Sequence, residues 1–431
     1  MPISKKTYFG LITLFLYFFY FKSSPKQNSL DPFVTESSQF KYFQKHYSHK
    51  TPIYQQKITD AGFVFEEHKI LTKDGYILTA WRIPRKLNEP SYSLSKHEPI
   101  ILQHGLFDSS FTWLLLDNEF SLPIMLANSG YDVWLTNTRG NAVSFEHQNM
   151  DKYNSNDVYS KYWDFSFHEM AIYDLPANIN YIRKITGYDK VTYIGHSQGG
   201  LIYNILYSLD HQFIDNTVKN FISVGTVAGI FTTESKLIQL GAQFDMSWVL
   251  NAIKVKNFFT FNENFYNLIS TFCYYGNKIC SLIVNFIVSN GKDTKRINSS
   301  HLFKNFLYAP GGTSFKNISH WLQMYKNKRL AMYDYGRKKN IKLYGSPIPP
   351  EYDFTVLKQS KIRSLLYVSD SDPFSNENDL KHLIDNLNKH YAKVKKMSNY
   401  NHLDFLWSED AKNDIYKDIV SFIQNGNKSY Q

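Results

Sequence analysis

Apolar positions along this chain fall into two textures. In one, short apolar runs bounded by turn residues alternate with stretches of helical spacing. His68 to Thr72 and Tyr76 to Ile83 flank Lys73-Asp74-Gly75, which predicts a hairpin with Asp-Gly at its turn and Pro84 at its end. Pro99 to Gln103, Tyr131 to Thr136 and Lys190 to Ile194 are compact runs of the kind that form parallel strands buried on both faces. A helical pattern over Ser166 to Ile185 precedes the third run. Phe221 to Thr226, Ser364 to Ser369 and Ala392 to Lys396 add three further strands, and a helix near Asp410 to Ile423 closes the chain. Strands alternating with helices predict an α/β fold with a mostly parallel central sheet covered on both faces.

Between residues 228 and 350 the texture changes. Aromatic and aliphatic residues cluster without strand spacing: Phe258-Phe259, Phe261, Phe265-Tyr266, Tyr274-Tyr275 and Ile283 to Val288. This predicts a mainly helical insertion that splits the core into residues 25–227 and 351–431. Ahead of the core, Lys5-Lys6 precede an apolar run from Tyr8 to Phe21, and Lys22-Ser23-Ser24-Pro25 restores polarity. The run is shorter than the roughly 20 residues of a bilayer span, so residues 1–24 read as a signal peptide, with an uncleaved anchor as the alternative. The expected address is the secretory pathway, either secreted or in a lysosomal or vacuolar lumen, and no second run is long enough to span a membrane.

Composition narrows the picture. With 43% hydrophobic and 20% charged residues over 431 positions, the chain is neither disordered nor fibrous and has ample length for a large core. The net charge of +10 favours anionic partners, but the basic residues are scattered. No dense block of a nucleic-acid-binding arm exists, so a lipid surface fits better than nucleic acid. Two cysteines, Cys273 and Cys280, exclude a disulfide scaffold and a four-cysteine metal site. In an oxidising compartment they are expected to pair. The sequons at Asn298, Asn317 and Asn427 are candidate glycosylation acceptors. Neither a His-Glu-x-x-His nor a Cys-x-x-Cys pattern occurs, so no metal or cofactor is expected.

The chemistry concentrates at Gly195-His196-Ser197-Gln198-Gly199, between a strand and a helical pattern. That context turns Gly-x-Ser-x-Gly into a nucleophile elbow, in which a serine sits on a strained strand-to-helix turn. A tetrahedral oxyanion needs preorganised donors. The Gln198 N–H, next in chain to Ser197 and at a helix start, is one candidate. The Leu106 N–H, in the turn after Ile100-Ile101-Leu102-Gln103-His104-Gly105, is the other. His104 is expected to order that loop by hydrogen bonding rather than to act as the base. In this arrangement acid and histidine follow the serine in chain order. Asp370 and Asp372 lie just past a strand end, and spacing alone does not choose between them. His402, in Asn401-His402-Leu403-Asp404, is the last histidine and the candidate base. Asp404 follows too closely to reach the ring, so a capping role is expected for it.

Taken together, these segments resemble the eukaryotic acid lipase family, of the gastric and lysosomal type. Matching segments include Lys73-Asp74-Gly75-Tyr76, Gln103-His104-Gly105-Leu106, Gly130-Tyr131-Asp132-Val133-Trp134 and Asn137-Thr138-Arg139-Gly140-Asn141. Trp163 to Met170, Tyr173 to Ala177, Pro310 to Ser314, His320-Trp321 and Asn401 to Phe405 match as well, so the resemblance runs from about Ile58 to Ile423. It implies the α/β-hydrolase fold and a triad of Ser197, Asp372 and His402, favouring Asp372 over Asp370. It also implies an oxyanion hole from Leu106 and Gln198, and neutral lipids (triacylglycerol or sterol ester) as substrates at a lipid–water interface. The aromatic-rich insertion is expected to cap the elbow with an apolar slot for acyl chains. No obligate protein partner is implied. Two other readings remain at this point: a short-chain carboxylesterase or thioesterase, and a lipid-binding protein without catalysis.

Overall fold

The computed structural model describes residues 51–90, 97–149, 161–243, 256–258, 296–297 and 311–426. The leader, both cysteines, and the sequons at Asn298 and Asn427 lie outside them, as does most of the aromatic run of the insertion.

The hairpin forms as predicted, with β1 at Glu66–Leu71 and β2 at Tyr76–Ile83 paired antiparallel. At the turn, Gly75 takes φ 96, a left-handed backbone that favours glycine, and a Cβ there would sit 2.9 Å from the His147 ring. The strands β3 (Pro99–Gln103), β4 (Asp132–Thr136) and β6 (Val191–His196) follow the apolar runs within a residue or two. Between them in sequence, β5 (Glu146–His147) is a short strand paired with β2 that carries no apolar signal. β7 spans Val218–Val224, starting three residues before the expected strand. β10 (Arg363–Ser369) and β11 (Ala392–Met397) complete the sheet.

The order across the sheet is β1-β2-β4-β3-β6-β7-β10-β11. From β4 to β11 every pairing is parallel, while β1–β2 and β2–β4 are antiparallel. Burial follows position. β3, β4 and β6 are buried at every residue. The edge strand β11 is mostly half-exposed and carries Lys393, Lys395 and Lys396, charges that discourage pairing with another chain.

At the sheet centre, the helix Gln198–Leu209 is apolar on all sides and buried through ten of its twelve residues. The helical stretch expected over Ser166 to Ile185 is interrupted. A capped turn at Phe167–Glu169 leads into a π-turn at Met170–Asp174, and a regular helix runs only over Leu175–Thr186. Pro176, at the start of that helix, has no N–H to extend the ladder backwards. The wide turn aims the buried Asp174 at Arg139, whose Nε and Nη2 donate to Asp174 Oδ1 at 2.8 and 2.6 Å. The same guanidinium donates to both carboxylate oxygens of Asp74 at 2.5 and 2.9 Å. It also lies 3.9 Å over the Tyr76 ring. Arg139 thus ties the hairpin turn, the loop after β4 and the π-turn together beneath the site.

Of the insertion, the described parts are helical at Lys236–Gln243, Phe315–Asn327 and Arg337–Tyr344. They also include a two-residue ribbon, β8 (Asn257–Phe258) against β9 (Thr313–Ser314), which the apolar pattern does not predict. Among the described residues no helix is long and apolar enough to cross a membrane.

Candidate active site

β3, β6, β7 and β10 lie side by side in parallel, so their carboxyl ends open on one edge of the sheet. That edge is where this class of fold builds its sites. Ser197 sits at the turn from β6 into the helix Gln198–Leu209, with φ 52 and ψ −120. Positive φ in a residue with a side chain is strained, and here the surroundings enforce it. Ser197 N donates to Val224 O at 3.1 Å, and Gly200 N donates to Ser197 O at 2.9 Å. The flanking glycines are steric necessities. A Cβ on Gly195 would lie 2.6 Å from Gly199 C, and one on Gly199 would lie 2.6 Å from Gln103 O.

Ser197 Oγ lies 2.7 Å from His402 Nε2, and His402 Nδ1 lies 2.6 Å from Asp372 Oδ2. The Asp372 side chain is fully buried, and its other oxygen accepts the Phe374 N–H at 2.9 Å. Since a carboxylate only accepts, Nδ1 carries the ring proton and Nε2 is free to accept from the serine hydroxyl. The edge of the Phe374 ring packs on His402, with centroids 4.9 Å apart. Three residues far apart in sequence therefore form one hydrogen-bonded chain. Asp370 is not part of it: it is exposed, and its Oδ1 accepts from Asn399 N and Ser371 Oγ. Asp404 caps the histidine turn, as expected, by accepting the Asn401 N–H at 2.6 Å.

The Leu106 loop lies beside the elbow: a Cβ on Gly105 would lie 3.0 Å from Ser197 Cβ. Phe107 has φ 61, and its carbonyl accepts Gly311 N at 2.5 Å, while Gly311 O accepts Ala142 N at 2.6 Å. The segment before helix Phe315–Asn327 thus pins both the Leu106 loop and the loop after β4.

Gln198 has a second set of ties. Its side-chain oxygen accepts from Asn317 Nδ2 at 3.0 Å and from Trp321 Nε1 at 2.8 Å. These two donors stand one turn apart on the insertion helix Phe315–Asn327. Sequence reasoning misses the connection, because nothing in the spacing of Asn317 and Trp321 points to a residue more than 100 positions away. The geometry corrects one expectation. Asn317 is fully buried, its Nδ2 also bonds Thr313 Oγ1, and its Oδ1 accepts Phe167 N, so the site has no room for a glycan.

Beneath the helix, Lys316 Nζ pairs with Glu169 at 3.1 Å and with Asp164 at 3.1 Å. Burial would raise the Glu169 carboxyl, but the Lys316 ammonium and the Ser166 amide carry it down to about 2. Burial also pushes the imidazoles of His104 down to about 4, and those of His196 and His320 to about 3. Among the described residues no His, Cys, Asp or Glu cluster could hold a metal ion.

The sheet order, the elbow and the Ser–His–Asp chain define an α/β-hydrolase. Residues 98–409 match the family model described as alpha/beta hydrolase fold, and residues 54–117 match the one described as partial alpha/beta-hydrolase lipase region. The chain is 34% identical over 382 residues to the gastric triacylglycerol lipase of Bos taurus, covering 86% of this chain and 91% of the bovine protein. It is 33% identical over 372 residues to lipase lipl-1 of Caenorhabditis elegans, covering 84% and 89%. A soluble variant of monoglyceride lipase from Saccharomyces cerevisiae shares the fold, with a TM-score of 0.50 at 14% identity over 85% of this chain and 96% of that one. The chain belongs to the acid lipase family of α/β-hydrolases, and it is a lipase, a hydrolase of carboxylic esters.

Proposed function

We propose that the protein hydrolyses ester bonds of neutral lipids, triacylglycerols or sterol esters, through a triad of Ser197, His402 and Asp372. The hydrogen-bonded chain at 2.7 and 2.6 Å is the observation that carries this reading. His402 Nε2 takes the Ser197 hydroxyl proton as Oγ attacks the ester carbonyl. The Leu106 and Gln198 N–H groups receive the oxyanion. His402 then gives the proton to the departing alcohol, leaving an acyl group on Oγ. Water, deprotonated by the same nitrogen, releases the fatty acid and restores the hydroxyl. Asp372 holds the tautomer and bears against the imidazolium formed on the way.

The substrate class rests on the relatives named as triacylglycerol lipases. The aromatic-rich insertion, residues 228–350, supports it as a cap for an apolar chain. The basic surface and the apolar leader support action at lipid surfaces within the secretory route.

Ser197→Ala should lower hydrolysis of an emulsified long-chain triacylglycerol by several orders of magnitude. A panel of triacylglycerol, sterol ester and soluble short-chain ester then separates the lipase from a short-chain esterase. Full activity in Ser197→Ala would overturn the triad. A preference for the soluble ester over all emulsions would overturn the substrate class.

A further inference from the structure

His104, one residue past β3, is buried in the loop that carries the Leu106 amide, and the reaction as written does not use it. Its hydrogen bonds leave a single arrangement of protons. Asn141 Oδ1 accepts two backbone donors, Val143 N at 2.9 Å and Ser144 N at 2.8 Å. That orientation turns the Asn141 amide nitrogen, a donor only, towards His104 Nε2 at 2.9 Å. A second donor, Thr138 N, reaches the same nitrogen at 3.1 Å. His104 Nε2 is therefore the bare acceptor, and the ring proton sits on Nδ1. From there it is donated to Gly105 O at 2.8 Å.

The consequence lies in the next peptide unit. Gly105 C=O and Leu106 N–H belong to one planar trans peptide, so they point in opposite directions. Whatever holds the carbonyl oxygen sets the direction of the amide hydrogen. Glycine suits this hinge, because a Cβ on Gly105 would crowd His196 Nδ1 and Ser197 Cβ, each at 3.0 Å. Beyond this hinge, Phe107 is in the left-handed region at φ 61, and its carbonyl accepts Gly311 N.

We propose that His104, locked in its Nδ1–H tautomer by Asn141, is a positioning residue that aims the Leu106 amide at the oxyanion. The inference rests on the proposed role of Leu106 in that hole. The asparagine of the loop after β4 acts through the histidine, and the histidine acts through one peptide plane. Burial keeps the ring neutral down to about pH 4, so the tautomer survives in mildly acidic surroundings.

The test uses the full-length enzyme on a soluble short-chain ester, with thermal melts to confirm folding. An asparagine side chain places its amide nitrogen where His Nδ1 stood, whereas a glutamine amide reaches the Nε2 position instead. His104→Asn should therefore retain most of kcat, while His104→Gln and His104→Ala lose about 10²-fold with little change in KM, as for a lost oxyanion donor. Asn141→Ala should lose roughly tenfold in kcat. Combined with His104→Ala it should add nothing further, because both act on one peptide. Inhibition by a trifluoromethyl ketone, which forms a tetrahedral adduct, should weaken in step with kcat. Should His104→Ala fail to fold, His104→Gln and Asn141→Ala carry the test. An unchanged kcat in those variants, or equal activity in the Asn and Gln variants, overturns the proposal. Ser197→Ala serves as the separate control: if it stays active, the triad reading itself has failed.

Discussion

His196 Nε2 donates to the backbone carbonyl of His402 at 3.2 Å, so the residue before Ser197 holds the residue whose Nε2 faces the Ser197 hydroxyl. The carbonyl can only accept, which puts the His196 proton on Nε2 and leaves Nδ1 facing Gly105. Burial pushes this imidazole down to about 3, so the ring stays neutral above that pH and the donor keeps its form. Elbow and histidine loop, more than 200 residues apart in sequence, are thereby fixed relative to each other.

Removing that tie should misplace the proposed base, His402, without removing it. His196→Leu is expected to lower kcat by roughly 10- to 100-fold, with KM for a soluble ester within about twofold. Steady-state kinetics checks this, with circular dichroism to confirm the fold. A wild-type kcat would show that the histidine loop holds its place unaided.

The two aspartates after β10 should separate cleanly. Asp372→Asn keeps the shape but loses the charge behind His402 and the fixed tautomer, so kcat should fall about 10³- to 10⁴-fold. Asp370→Asn alters an exposed side chain bonded to Asn399 and Ser371, and activity should stay within about twofold. The reverse order of effects would reassign the acid.

Asp108, two residues beyond Leu106, should make stability depend on pH. Burial pushes its carboxyl up to about 7, against the hydrogen bonds it accepts from Thr112 and Ser109. Its folded pKa lies above the unfolded value near 3.9, so its protonated form suits the native state. That favourable contribution is complete below the unfolded pKa and is lost as pH rises towards 7. Asp108→Asn removes the buried charge while an amide oxygen still accepts Ser109 N. The variant should match the wild type at pH 3.5 and gain up to about 4 kcal/mol at pH 8, since the carboxyl rises from near 3.9 unfolded to about 7 folded. Melting curves at the two pH values test this, and a gain confined to low pH would contradict it.

Much of this molecule is legible in its sequence for a physical reason. Strands buried on both faces read as near-continuous apolar runs, so β3, β4, β6 and β10 stand out against their turns. The elbow needs glycine on either side of a serine, and Gly195 and Gly199 can be nothing larger where backbone lies 2.6 Å from a Cβ. His402 follows from chain order once the elbow is found, whereas the choice of Asp372 over Asp370 needs the family resemblance. Connections between side chains distant in sequence leave no such trace. Nothing periodic links Asn317 to Gln198, or Arg139 to Asp174, since one hydrogen bond imposes no pattern on its neighbours. The π-turn at Met170–Asp174 is equally silent, because a single widened turn of five residues is too short to set a period of its own.

The seam between Gln198 and the insertion helix offers a last test, because its two donors can be removed separately. Trp321→Phe deletes the indole N–H and keeps the ring against Phe167, leaving Gln198 Oε1 still bonded to Asn317. One net hydrogen bond is worth about 1 kcal/mol, so that is the expected loss. Asn317→Ala strips more: Phe167 N loses its acceptor and Gln198 Oε1 one of its two donors, for a loss of about 2–3 kcal/mol. The double variant leaves Gln198 Oε1 buried with neither donor, so its loss should exceed the sum of the single ones. Chemical denaturation of the three variants measures this coupling. Strict additivity would mean that the two donors do not share their acceptor in solution. Since Asn317 is enclosed by these same contacts, peptide mapping of the protein from a eukaryotic secretory host should find Asn317 without a glycan. Finding it glycosylated in folded, active enzyme would show that the helix does not dock on Gln198.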